Sequence, residues 1–254
     1  MKKLAAVFIM LVVALAGCGV PSVPKEEQPI SEIVYKGETI TAPKNYNSVP
    51  AEYKSVLDAY YLFNQISIRY ENSSIGSEND QLEHEKLRVN LLKQGGLENR
   101  TIPYGEWAGY ALKDINGDDV PELFLLSGKA DYDSDIQHPI YGIYTIFNGK
   151  WHDVAKSQAS SFYFNLVLKS DNILYNLNSA YDIGSASKLE PNSVTITWLF
   201  DYYFVPWDSE DKTINHYYKV KSGTEAIKIS EEEFEKYNGT GDVVPFDFVS
   251  INQS

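Results

Sequence analysis

Residues 140–154 read IYGIYTIFNGKWHDV, and this stretch decides how the chain is interpreted. Ile140 to Phe147 and Trp151 to Val154 are dense in aromatic and β-branched residues, which suit a pleated, half-buried surface. Between them stands Asn148-Gly149. Both residue types accept positive φ, so the pair fits the type I′ turn whose twist matches that of two antiparallel strands. The segment is therefore read as a hairpin. Similar runs lie on both sides: Trp107 to Leu112, Val120 to Leu126, Phe162 to Leu168, Ile173 to Leu177, Val194 to Val205 and Ile214 to Val220. Ser170-Asp171-Asn172 offers a second turn between two of them. An antiparallel meander is expected from Trp107 onward.

Upstream, the apolar period changes. Tyr53, Val56, Tyr60, Phe63, Ile66 and Tyr70 recur at spacings of three and four, which places one apolar stripe on a helix from Pro50 to about Glu71. A second helix is expected from Glu78 to Gln94: Ser77 and Asp80 resemble a capping box, Leu82, Val89 and Leu92 share a face, and Gly95-Gly96 supplies the stop. Ser230 and Glu233 mark the start of a last short helix that ends near Gly239. Helices first and strands afterwards indicate an α+β fold: N-terminal helices, an antiparallel β meander and a short C-terminal helix. No internal repeat is present, so the period of about 40 to 50 residues that propeller blades would leave is missing.

The N-terminus has its own character. Lys2 and Lys3 precede an apolar run from Leu4 to Ala16, too short to span a bilayer core, which takes roughly 20 helical residues. Leu15-Ala16-Gly17-Cys18 follows. This arrangement resembles the bacterial lipobox. The resemblance implies a signal peptide over 1–17, cleavage before Cys18, and a diacylglycerol, with palmitate-type acylation, on the Cys18 sulfur. Cys18 is the only cysteine, so no disulfide framework exists within the chain. From Gly19 to about Pro50 the composition shifts to scattered Pro, Lys, Glu, Ser and Thr, read as a tether over 18–49, with Ile30 to Tyr35 available as one added strand. A single domain over 50–254 completes the division.

Charge narrows the partners. The chain carries a net charge of −13, and removal of Lys2 and Lys3 lowers Lys plus Arg from 22 to 20 against 35 acidic residues, giving −15. Such a body is repelled by phosphate backbones and by anionic lipid, which argues against nucleic acid and makes a covalent lipid the natural means of membrane attachment.

The sharpest internal motif is Asp114-Ile115-Asn116-Gly117-Asp118-Asp119-Val120-Pro121-Glu122-Leu123, at the tip of a hairpin expected over 110–126. Oxygen donors recur at its first, third, fifth and ninth positions. Ca2+ takes six to eight oxygen ligands, and a tightly wound loop brings alternate side chains to one point. Asp114, Asn116, Asp118 and Glu122 would supply side-chain oxygens and Val120 its carbonyl. Gly117 allows the sharp turn, and Pro121 removes a backbone donor where the chain leaves the loop. The segment resembles the calcium loop of FG-GAP and related VCBS-type propeller repeats, Asp-x-Asn-Gly-Asp-Gly-x-x-Asp-Leu. It is also similar to exported lipoproteins, common in Gram-positive bacteria, that carry one such loop after a helical region. Asp119 stands where that consensus has glycine, and Glu122 replaces its terminal Asp. An EF-hand is excluded, because Leu125 occupies the twelfth position and no helix follows. The other reading of the same residues is an Asp/Asn-rich turn that holds no ion. Asp131, Asp133 and Asp135 alternate in the same manner nearby; a solvated acidic loop is favoured over their completing the metal site or holding another ion.

Other candidates are weaker. Tyr202, Tyr203, Phe204, Trp207, Tyr217 and Tyr218 suit either a glycan-stacking platform or strand core, with core favoured. His84, His138, His152 and His216 are isolated, no HExxH or GxSxG motif occurs, and His84 is expected on the polar, solvent-facing side of its helix. The resulting expectation is a lipid-anchored, calcium-stabilised binding or structural module without enzymatic activity, on the cell membrane and facing outside the cytoplasm, on a Gram-positive surface. Its partners would be the membrane, through Cys18, and a glycan or an envelope protein. The alternatives are a hydrolase of envelope or dietary glycans using a carboxylate pair, and an accessory subunit docked through a strand edge.

Overall fold

The computed structural model describes residues 30–73, 77–98, 102–128, 139–154, 165–177, 183–205, 216–221, 223–238 and 242–253. In chain order its elements are β1 (Glu32–Tyr35), β2 (Glu38–Thr41), α1 (Lys54–Asn72), α2 (Glu78–Gln94), β3 (Ala108–Lys113), β4 (Glu122–Ser127), β5 (Ile140–Phe147), β6 (Lys150–Asp153), β7 (Asn165–Leu168), β8 (Leu174–Leu177), β9 (Ile183–Leu189), β10 (Ile196–Val205), β11 (His216–Val220), β12 (Ile227–Ile229), α3 (Glu231–Asn238) and β13 (Val249–Ser250). The fold is α+β, with N-terminal helices followed by antiparallel strands and a short C-terminal helix. A short 3-10 turn, Ala51–Tyr53, leads into α1. Among the described residues no helix is long and apolar enough to cross a membrane.

The meander divides into two sheets. β3, β4, β5 and β6 follow one another in order, with β13 added beside β3, while β7 to β12 form a six-stranded sheet in chain order. Asn148 and Gly149 both have positive φ, 53° and 70°, and join β5 to β6 as the sequence predicts. The turn Ser170 to Asn172 joins β7 to β8, with Asn172 at φ 59°.

Alternation along the strands explains the layering. On β4, Leu123 and Leu125 join a core with α1, α2 and the β1-β2 hairpin, whereas Phe124 and Leu126 face Leu166, Leu168, Leu174 and Leu189 of the second sheet. All six residues of β4 are buried, as a strand covered on both faces must be. The six-stranded sheet in turn presents Val167, Tyr175, Phe200 and Tyr202 to Phe234 and Tyr237 of α3. The order of layers is thus helix pair, sheet, sheet, helix.

The helices form for the expected reasons, with one correction. Tyr53, Val56, Tyr60, Phe63 and Ile66 are buried along the α1 stripe. Ser77 and Asp80 make both halves of a capping box on α2. The buried face of α2, however, is a different one from that expected: Leu82 and Val89 are 54% and 56% exposed, while His84, Leu91 and Leu92 are buried. His84, Leu87 and Leu91 stand at i, i+3 and i+7, a stripe that the polar first member hides from a search for apolar residues. His84 is therefore core, contrary to its expected exposure.

The folded body also begins earlier than the expected boundary at residue 50. From Ile30 the chain is part of the body: Ile33, Tyr35, Ile40, Ala42 and Tyr46 are buried against α1 and α2. Lys36 and Gly37, both at positive φ, make a tight turn between β1 and β2. Residues 1–17, Cys18 and residues 19–29, the first part of the expected tether, lie outside the described residues.

β9 (Ile183–Leu189) is a strand the sequence reading missed. Its composition, Gly184-Ser185-Ala186-Ser187, lacks the usual strand residues. The reason lies across the sheet, where the Tyr202 ring lies so close to Gly184 that no Cβ fits there.

Candidate metal centre

β3 and β4 are paired from Ala108↔Ser127 to Lys113↔Glu122, and the residues between them form the loop 114–121. The pairing fixes where Glu122 goes. It is the first residue of β4 and is 0% exposed, so its carboxylate enters the end of the sheet and leaves solvent behind. Three groups bind it there. Ile115 donates its backbone N–H to Oε2 at 3.0 Å, Thr145 of β5 donates its hydroxyl to Oε1 at 3.0 Å, and Asn116 donates Nδ2 to Oε1 at 3.2 Å. Burial nevertheless dominates, and with Asp118 and Asp114 nearby it pushes the Glu122 carboxyl up from 4.5 to about 7 against the opposing hydrogen bonds from Ile115 and Thr145.

The rest of the loop is organised by Asx-type bonds. Asp114 accepts from Gly117 N at 2.7 Å and Asp119 N at 3.1 Å. Asn116 Oδ1 accepts from Asp118 N at 3.1 Å, and Asp118 Oδ1 accepts from Val120 N at 3.0 Å. Gly117 and Asp119 take positive φ, 77° and 64°. Asp119 thus adopts the left-handed conformation that the glycine of the resembled consensus would favour, one that Asp tolerates better than most residues.

Neighbouring elements grip this loop. Tyr53 donates its hydroxyl to the carbonyls of Pro121 at 3.0 Å and Tyr144 at 2.9 Å, tying the loop exit to the helical layer. From the second sheet, Asn192 in the β9-β10 turn donates its backbone N–H to Asp118 Oδ2 at 2.9 Å. Sequence reasoning found none of these supports. Tyr53 reads as helix core, Thr145 as one of many strand residues, and Asn192 lies seventy-four residues away from Asp118 in sequence.

The five expected ligands therefore separate into two groups. Asn116, Asp118 and Glu122 come together: Asn116 Nδ2 sits between Asp118 Oδ2, at 3.0 Å, and Glu122 Oε1. Asp114 is turned toward its own loop amides, and Val120 bonds through its N–H to Asp118. Among the described residues no three His, Cys, Asp or Glu side chains stand in a cluster ready for a metal. The donor chemistry still fits a hard cation, since every side chain involved carries oxygen. The Asn116 amide group lies where its positive end links two carboxylates. Rotating that amide by half a turn exchanges Nδ2 for Oδ1 and presents a third oxygen beside Asp118 and Glu122.

Asp131, Asp133, Asp135, His138 and Trp207 lie outside the described residues. In the aromatic segment, Tyr202 is buried and Phe204 and Tyr217 pack beside it against α3, while Tyr203 and Tyr218 stack on the opposite face with centroids 5.2 Å apart. The expectation of core is met by the first three. No protein-family model, curated protein or solved structure matches this chain.

Proposed function

We propose that this protein is a calcium-stabilised binding or structural module held by lipid on Cys18 at the outer face of a cell membrane, without enzymatic activity. The observation that carries the calcium half of this reading is Glu122. It is a fully buried carboxylate placed beside Asn116 and Asp118 in a loop whose donors follow the Asp-x-Asn-x-Asp spacing. A divalent cation at that point offsets the charge that burial penalises. With a dissociation constant of about 0.1 mM and about 1 mM Ca2+ outside the cell, linkage contributes on the order of 1.4 kcal/mol. That size suits a staple holding the loop to β5 and to the β9-β10 turn. Nothing in the loop suits catalysis: it holds no histidine and no hydroxyl nucleophile. The lipid half rests on Leu15-Ala16-Gly17-Cys18 after a short apolar run, and on an acidic body that gains no electrostatic attraction to anionic lipid. Partners reached from such a position are a glycan or another envelope protein.

Thermal unfolding with millimolar Ca2+ and again with chelator tests the first half. The midpoint is expected to rise with Ca2+, and the rise is expected to vanish in Asp118→Asn. An unchanged midpoint, together with no heat of Ca2+ binding, sinks the metal site. For the second half, Cys18→Ala is expected to release the protein into the medium or leave it unprocessed; lipid labelling and membrane retention that both survive the change refute the anchor.

A further inference from the structure

A buried histidine whose Nδ1 has no hydrogen-bond partner among the described residues packs between the β1-β2 hairpin and the helix pair. His84 is 4% exposed on the inner face of α2. Its ring stacks on Tyr70 of α1, with centroids 4.0 Å apart and 12° between planes, and meets Tyr35 at the end of β1 at 6.0 Å. Its Nδ1 and the Tyr35 hydroxyl are both buried without a hydrogen-bond partner among the described residues. Protonation would place an N–H on that Nδ1 and a full charge between two phenol rings, leaving a buried donor unsatisfied.

The surrounding charges do not reverse this. Burial, the largest influence, lowers the His84 pKa; Arg88 of α2 and Lys36 of the hairpin turn act in the same direction, and only Glu85 of α2 opposes them. Glu83 and Asp80 of α2 bear on Tyr35, as does Tyr70. Stacking on Tyr70 gives an imidazolium some cation–π attraction, which offsets part of the burial cost. The rest of the hairpin's attachment is modest. Among the described residues it has two strands only, with Ile33, Ile40 and Ala42 buried beside Tyr35, a bond from Ile30 N–H to Gln94 Oε1 at 3.1 Å, and an Arg69–Glu38 ion pair at 3.6 Å. A two-stranded hairpin is marginal unless something packs on it.

We infer that His84 is an acid-operated latch: while neutral it seals the segment 30–42 onto α1 and α2, and when protonated it lets that segment leave while α1 and the five-stranded sheet stay folded. The direction is set by linkage. A histidine whose folded pKa is depressed stabilises the docked form above its unfolded value of about 6.5, and that stabilisation is lost as pH falls through the lower folded value. The latch does not depend on calcium or on the lipid.

Hydrogen exchange on the full chain at about pH 7.5 and about pH 5, corrected for intrinsic exchange rates, provides the test. Protection of residues 32–41 is expected to be lost at the lower pH, while protection of α1 and β4 does not fall. His84→Phe keeps a ring on Tyr70 and does not titrate, so its hairpin is expected to be equally protected at both pH values. Equal protection in the wild-type chain, loss that runs in step with β4, or the same loss in His84→Phe overturns the latch. Should His84→Phe fail to fold, the imidazole of wild-type His84 is titrated by NMR: a midpoint below 6.5, with hairpin signals shifting in step, supports the latch, and a midpoint at or above 6.5 overturns it.

Discussion

The five-stranded and six-stranded sheets are both antiparallel meanders, yet they are secured by different chemistry. The first lies between two layers, and its central strand β4 is buried along its whole length. Its polar fastenings are tyrosine hydroxyls reaching across elements: Tyr53 to the carbonyls of Pro121 and Tyr144, and Tyr144 to the carbonyl of Gly95 at 2.9 Å. On its far face the six-stranded sheet is covered by α3, a helix of eight residues, and relies on aromatic rings and two lysines. Lys169, almost fully buried, donates to the carbonyls of Lys236 and Tyr237 at 2.6 and 2.9 Å, at the C-terminal end of α3 where a cation also meets the negative end of the helix dipole. Lys219 lies over the rings of Phe200 and Tyr237, 4.0 and 4.5 Å from their centroids. The sheet under the two long helices is secured by broad burial and by tyrosine hydroxyls. A sheet closed by one short helix needs specific cations to fix that helix in place.

Three measurements break or sharpen this contrast. The largest effect is expected where the two sheets share a core. Phe124 is fully buried and meets Phe246 at 4.8 Å, so Phe124→Ala is expected to cost about 3–5 kcal/mol in chemical denaturation. Fluorescence and circular dichroism are expected to report one transition; two separated transitions would show that the sheets unfold independently.

The next effect belongs to Glu122 and is a pH dependence. Its folded pKa, about 7, lies above the ordinary 4.5. The neutral acid is thus the form the fold favours. In chelator, its contribution is fully present below the unfolded value and is lost as pH rises through about 7, by roughly 3 kcal/mol. Ca2+ at the loop favours the carboxylate and is expected to remove this loss. Denaturation midpoints between about pH 4.5 and about pH 8, with and without Ca2+, check both statements; a slope unaffected by Ca2+ would separate Glu122 from the metal.

The smallest expected effect is confined to the outer layer. Lys169→Met keeps the length of the side chain but leaves the two α3 carbonyls without their donor, which costs about 1–3 kcal/mol. Hydrogen exchange is expected to rise in α3 and β10 with β4 unchanged. A loss spread evenly over both sheets would erase the distinction drawn between them.

How far the sequence carried the fold follows the same division. α1, α2, β4 and the turn at Asn148-Gly149 were legible because apolar period, capping residues and positive-φ residue types are local signals. β9 was not, since Gly184 and its small neighbours are shaped by the Tyr202 ring, a contact that only the folded sheet creates. His84 failed for a related reason: its stripe is completed by Tyr35 and Tyr70 from other elements. The split into two sheets was not foreseen, because alternation on one strand does not say which layer each face will meet. At the candidate site, the spacing of Asp114, Asn116, Asp118 and Glu122 was readable from sequence. The burial of Glu122 and its bond to Thr145, like the bond from Asn192 to Asp118, depends on long-range strand packing.

The β1-β2 hairpin also has a mechanical consequence. Its open end faces the N-terminal side: Ala42 N–H bonds to Ser31 O at 2.8 Å, and the pairs Glu32↔Thr41 to Tyr35↔Glu38 follow toward the turn. A load applied to the chain before Ile30, with the body held, reaches these pairs one at a time from that open end. Antiparallel strands loaded this way unzip, whereas strands loaded along their length must shear several bonds at once. Opening the segment 31–42 pays out about 40 Å of chain at roughly 3.3–3.6 Å per residue. A load on the chain before Ile30 would therefore open the hairpin from that end and release this length before acting along α1.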